Sequence, residues 1–141
     1  MERIAQRMDL DRLVATGSAV VIDVADDSSQ ASRTFSGEVD RVAAAFSSVR
    51  FARMQLPEDA ALAALFDLTA APSVLIFRGG VGLFCGPVTF GSSQFEAMLR
   101  RALALDMDAV RRQMDRDRAA MAGAAAFRAC PMSRRGEFPP E

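Results

Sequence analysis

Apolar and polar positions alternate along this chain in two rhythms, and the switches between them mark its elements. Leu10 and Leu13 share a face in the short stretch DLDRLV, which predicts a helix over 9–14 that ends at Ala-Thr-Gly. The next run, SAVVIDV, is almost unbroken in apolar, β-branched residues and predicts a buried strand. From 29 to 47 the apolar positions are Phe35, Val39, Val42, Ala43 and Phe46, a helical spacing with one apolar face. VRFARMQL, with its β-branched and aromatic content, predicts a second strand. Pro57 then fits the first turn of a helix running to Leu65 and Phe66.

PSVLIFRGGVGLFCGPV places two apolar runs on either side of Gly79 and Gly80. Paired glycines accept the positive φ that tight hairpin turns need, so the segment predicts a β-hairpin. Ser93, Gln94, Phe95 and Glu96 match a capping box, predicting a helix that starts there and buries Phe95, Met98, Leu99, Ala102 and Leu103. Strand–helix–strand units imply a parallel pair with a crossover, and the hairpin adds an antiparallel strand. The expected architecture is α/β: a mixed sheet flanked by helices over residues 1–105.

Past Leu105 the character changes, so 106–141 is expected to be an extension of helix and flexible tail. DMDAVRRQMDRDRAAM keeps a thin stripe of Met107, Val110, Met114 and Met121, with arginines and aspartates in near balance on its other faces. That stripe suits either packing on the chain's own domain or docking to a partner helix, including that of a second copy. The final stretch, AAAFRACPMSRRGEFPPE, has no periodicity.

Composition narrows the chemistry more than it shapes the fold. The chain has 141 residues, half of them apolar, and a net charge of −1, so no general pull toward nucleic acid or anionic membrane is expected. Histidine is absent, and all 17 basic residues are arginine. Without histidine there is no imidazole base and no Ser-His-Asp or Cys-His machinery; without lysine there is no Schiff base and no P-loop lysine. The two cysteines, Cys85 and Cys130, have no metal-site spacing. No metal or cofactor is expected, and with neither a leader pattern nor a membrane-length apolar run the expected location is the cytoplasm.

The order of elements, together with VVIDVADDSSQASR and TAAPSVLIFRGG, resembles the thioredoxins. In that family a strand leads into Trp-Cys-Gly-Pro-Cys-Lys at a helix start. A later segment with a cis proline feeds a strand ending in Phe-Lys-Asn-Gly. Aligning Asp23 with the family's buried aspartate sets Ser28 on the tryptophan, Ser29, Gln30, Ala31 and Ser32 on Cys-Gly-Pro-Cys, and Arg33 on the lysine; a register one residue earlier sets Ser28 to Ala31 there instead. Either way both thiols are missing, and a serine hydroxyl cannot take part in dithiol exchange near neutral pH. The resemblance thus implies a thioredoxin-like three-layer sandwich without redox catalysis, with Pro72 as the cis proline.

What the resemblance leaves is a protein-binding groove formed by Ser28, Ser29, Gln30, Ala31, Ser32, Ala71 and Pro72. In it the backbone of Ala71 would pair with an extended client segment. The expected role is a non-catalytic chaperone or an assembly or maturation factor, in the manner of the thioredoxin-like accessory proteins of nickel-iron hydrogenases. Two other roles fit the residues: a single-thiol enzyme or sensor using Cys85 or Cys130, and a structural subunit of a larger complex. The serines also suit plain helix capping, Cys85 suits core packing, and Asp23 suits a solvated edge position or a hydrogen bond to Ser32. The segment FRACPMS is long and apolar enough to lie in the groove itself.

Overall fold

In a computed structural model the described residues are 1–120. The stretch 121–141, which includes Met121, Cys130 and FRACPMS, lies outside them. Five strands form one mixed sheet in the order β1-β3-β2-β4-β5. They are β1 (Glu2–Arg3), β2 (Val20–Ala25), β3 (Arg50–Gln55), β4 (Ser73–Arg78) and β5 (Val81–Pro87). Strands β1 and β2 both run parallel to β3, while β4 is antiparallel to β2 and β5. The helices are α1 (Arg7–Ala15), α2 (Gln30–Ala45), α3 (Ala60–Ala64), α4 (Ser92–Ala104) and α5 (Met107–Ala120).

The period-2 geometry of β2 divides its side chains between two cores. Val20, Ile22 and Val24 meet Leu10 and Leu13 of α1 and Leu62 and Ala63 of α3 on one face. Val21 meets Phe35, Val39 and Val42 of α2 and Phe95, Leu99 and Ala102 of α4 on the other. The mixed sheet and its two helical layers are therefore as expected. The hairpin turns at Gly79 and Gly80, whose φ values are +60° and +79°.

Four local expectations are corrected. Strand β1 was not foreseen, since Glu-Arg carries no strand pattern. It is held by pairing to Ala52 and Arg53, by Arg50–Glu2 (2.8 Å) and Arg3–Asp59 (2.9 Å) ion pairs, and by buried Ile4. Pro57 does not open α3: its peptide bond is cis, and the Asp59 carboxylate accepts from the Gln55 N–H (2.8 Å), closing a turn before the helix. Helix α4 starts at Ser92 rather than Ser93, with the Gly91 N–H donating to the Gln94 side chain (3.2 Å). Glu96 pairs instead with Arg100 (3.1 Å). Met98 and Leu103 are half-buried at the margin of the core rather than within it.

Helix α5 belongs to the same packed unit as the sheet. Val110 is buried in the α2/α4 core, with Met107 and Met114 packed against it. The Arg111 guanidinium donates to the Gly79 carbonyl (2.9 Å). Of the two uses foreseen for this stripe, its three described members serve the first, packing on the chain's own domain.

Candidate functional site

The C-terminal end of β2, the start of α2 and the start of β4 meet at one end of the sheet. The β2–β4 register pairs Val24 with Ser73, which sets Asp26 beside Pro72 and Ala71. The start of α2 and the turn at Pro72 therefore lie at the same end of the sheet. The Ala71–Pro72 bond is cis.

Each serine in the loop has a defined partner. Ser29 is the N-cap of α2, and its Oγ accepts from the Ser32 N–H (3.2 Å), satisfying one of the helix's free donors. Ser32 is 1% exposed, and its Oγ accepts from the Asp26 N–H (2.8 Å). The Asp26 carboxylate accepts from both the N–H (2.9 Å) and the Oγ (2.6 Å) of Ser28. Those bonds, the hydroxyl's first, hold Asp26 below the usual carboxylate pKa. Arg33 reaches back to the Asp27 carbonyl and to Gln30 Oε1 (2.7 Å). Gln30 also donates to Thr34 (3.3 Å), while Ala31 presents only a methyl group. The serine hydroxyls cap and brace, and the loop contains no thiol.

The other half of the site is different. Ala71 and Pro72 are half-buried, and the Pro72 carbonyl accepts from the Val88 N–H (2.9 Å). Among the described residues the backbone N–H and carbonyl of Ala71 make no hydrogen bond. A half-buried donor and acceptor at the end of a strand can receive one more extended segment.

Beneath the loop lies a network that sequence reasoning did not find. Asp23 is neither solvated nor bonded to Ser32; it is wholly buried on the α2 side of the sheet. Its Oδ2 accepts from Ser36 Oγ (2.6 Å) and Arg53 Nε (2.9 Å), whereas Oδ1 has no partner among the described residues. Arg53 continues to Asp40 (3.0 Å). Burial pushes the Asp23 carboxyl above its ordinary pKa, outweighing the bonds from Ser36 and Arg53. The usable signal was a pair of opposite charges in facing strands, since Asp23 and Arg53 are register partners.

Cys85 is half-buried and packs against the α1/α3 core, with its Sγ 3.4 Å from the Phe66 carbonyl oxygen. Among the described residues no cluster of three histidine, cysteine or acidic side chains is placed to hold a metal. No described helix is long and apolar enough to cross a membrane.

Sheet order, crossover and the cis proline opening β4 together define a thioredoxin-like α/β fold, and solved structures match it. Mitochondrial thioredoxin 3 of Saccharomyces cerevisiae superposes with a TM-score of 0.65 at 16% identity, covering 72% of this chain and 94% of that one. Thioredoxin of Fasciola hepatica gives 0.64 at 22% identity, covering 72% and 98%. A thioredoxin mutant from Halobacterium salinarum gives 0.67 at 15% identity, covering 74% and 91%. No protein-family model and no curated protein matches the sequence.

Proposed function

We propose that this chain is a non-redox binding protein of thioredoxin-like fold that holds an extended segment of a client protein along Ala71 and Pro72. On this reading it acts as a chaperone or as an assembly or maturation factor. The observation that carries it is the contrast between the two halves of the site. Ser29 and Ser32, where a dithiol pair would stand, are spent on capping and on the Asp26 N–H. Ala71, beside the cis proline, keeps both backbone groups unpaired. A strand-adding client would take both bonds, and the side chains around them would select which client.

The test removes the backbone donor. A residue before proline is biased to extended backbone, which proline itself tolerates, so Ala71→Pro removes the N–H at small conformational cost. Affinity capture from the source cells with the native chain and with A71P is compared by mass spectrometry, after matching their thermal midpoints. A partner held in constant stoichiometry by the native chain and lost from A71P is the expected result. Equal capture by both baits, or capture by neither, would remove the groove from the account.

A further inference from the structure

A second concavity lies at the far end of the sheet from Pro72. Arg50 opens β3 and pairs in register with Val20, the first residue of β2, whereas Pro72 stands beyond the Val24–Ser73 pair at the other end. At the Arg50 end, β1, the start of β3 and helix α1 border a cleft of about 520 Å³. That volume falls within the ~300–1,000 Å³ of small-molecule sites. Ile4 and Leu13, both members of the α1/α3 core, give the cleft apolar walls. Glu2, Asp9, Arg12 and Arg50 supply its charges.

These charges are unevenly satisfied. Both carboxylates are engaged: Glu2 accepts from Arg50 (2.8 Å), and Asp9 Oδ2 accepts from the N–H groups of Ala5 (3.2 Å) and Gln6 (3.1 Å). Arg3, on the same wall, is held by Asp59. Arg12 is different. Among the described residues it has no ion-pair partner, and its guanidinium donates to the Met8 thioether (3.1 Å), a weak acceptor. Arg50 places Nη2 on Glu2, and among the described residues its Nε and Nη1 make no bond. The end of α1 offers little opposition to an anion, because the Leu13 carbonyl already accepts from Thr16 and the Val14 carbonyl from Gly17.

We infer that this cleft binds a small monocarboxylate, with the carboxylate on Arg12 and the open edge of Arg50 and an apolar body against Ile4 and Leu13. A planar carboxylate matches the guanidinium fork. One uncompensated guanidinium suits a single negative charge, whereas a phosphate dianion would bring a second charge beside Glu2 and Asp9. Bound there, the ligand ties α1 to the edge of the sheet. The site is independent of the groove proposed above, so either can fail without the other.

NMR titration of the full chain is the direct test, with the Ile4 and Leu13 signals as reporters and the Ala71 amide as a distant control. The probes are isovalerate, its uncharged counterpart isovaleramide, acetate and inorganic phosphate. Saturable shifts at Ile4 and Leu13 with isovalerate, and none at Ala71, are expected. Isovaleramide and acetate should each bind at least tenfold more weakly, the first lacking the charge and the second the apolar body. Arg12→Gln should weaken isovalerate binding at least tenfold, as loss of a charge-assisted pair implies. Arg112→Gln, at an exposed arginine of α5 outside the cleft, should leave it unchanged. No saturable shift with millimolar isovalerate, or undiminished binding by R12Q, would overturn the inference. So would isovaleramide, acetate or phosphate binding as tightly as isovalerate, since charge, apolar walls or the carboxylate group would then play no part.

Discussion

Asp23 is the residue whose surroundings couple this fold to pH. Desolvation raises its pKa above the ordinary 3.8, against the downward pull of Ser36 and Arg53. The folded chain therefore keeps this proton to higher pH than the unfolded chain. The Asp23 contribution to stability is greatest below pH 3.8 and is lost as pH rises through the folded-state value. Asp23→Asn, which keeps the shape and an acceptor for Arg53, should flatten the fall in urea midpoint as pH rises above 3.8. An unchanged slope in that variant would assign the pH response to another group. Ser29 caps α2, so Ser29→Ala should cost about 1 kcal/mol of unfolding free energy by urea titration. The variant S29C/S32C supplies the missing thiols at a helix N-terminus, a setting that favours thiolate. It should reduce insulin disulfides in the presence of dithiothreitol at a rate at least tenfold above the native chain. Failure to do so would mean that the loop's geometry, as well as its residues, departs from a dithiol site.

At the scale of elements, α5 is the addition that distinguishes this sheet from a minimal sandwich, and its attachment is narrow. Val110 supplies its buried contact, and Arg111 ties it to the hairpin turn. Val110→Ala should lower unfolding free energy by roughly 2 kcal/mol, as cavity-forming truncations do, read from urea curves with an unchanged slope. Most elements were legible because their causes are local. The β-branched run of β2, the helical spacing of Phe35, Val39 and Val42, and the Gly79–Gly80 turn each depend on neighbours in sequence. The missed features depend on distant partners. Strand β1 exists because Arg50 and Asp59 wait for Glu2 and Arg3. Pro57 is excluded from α3 because the Asp59 carboxylate closes on Gln55. Asp23 could be placed in a strand from its neighbours and matched to a buried aspartate by resemblance, but its partnership with Arg53 required knowing that the two lie in register.

For the whole molecule, the sheet divides two cores that bear on the same strand ends. Two cores on opposite faces of one sheet hold the β2 and β4 ends in place, and the proposed groove depends on the residues at that end. The cis proline and the serine loop at the start of α2 were legible because both could be matched to a known pattern. Which backbone groups are left unpaired among the described residues follows only from the three-dimensional arrangement. The N-terminal strand adds one more consequence. With only two ladder positions, two ion pairs and Ile4 fastening it to the edge of β3, β1 is the point where a mechanical load on the first residue would fall. Pulled from that end in an optical trap, the chain should peel β1 away as a small early step, well before the sheet itself ruptures.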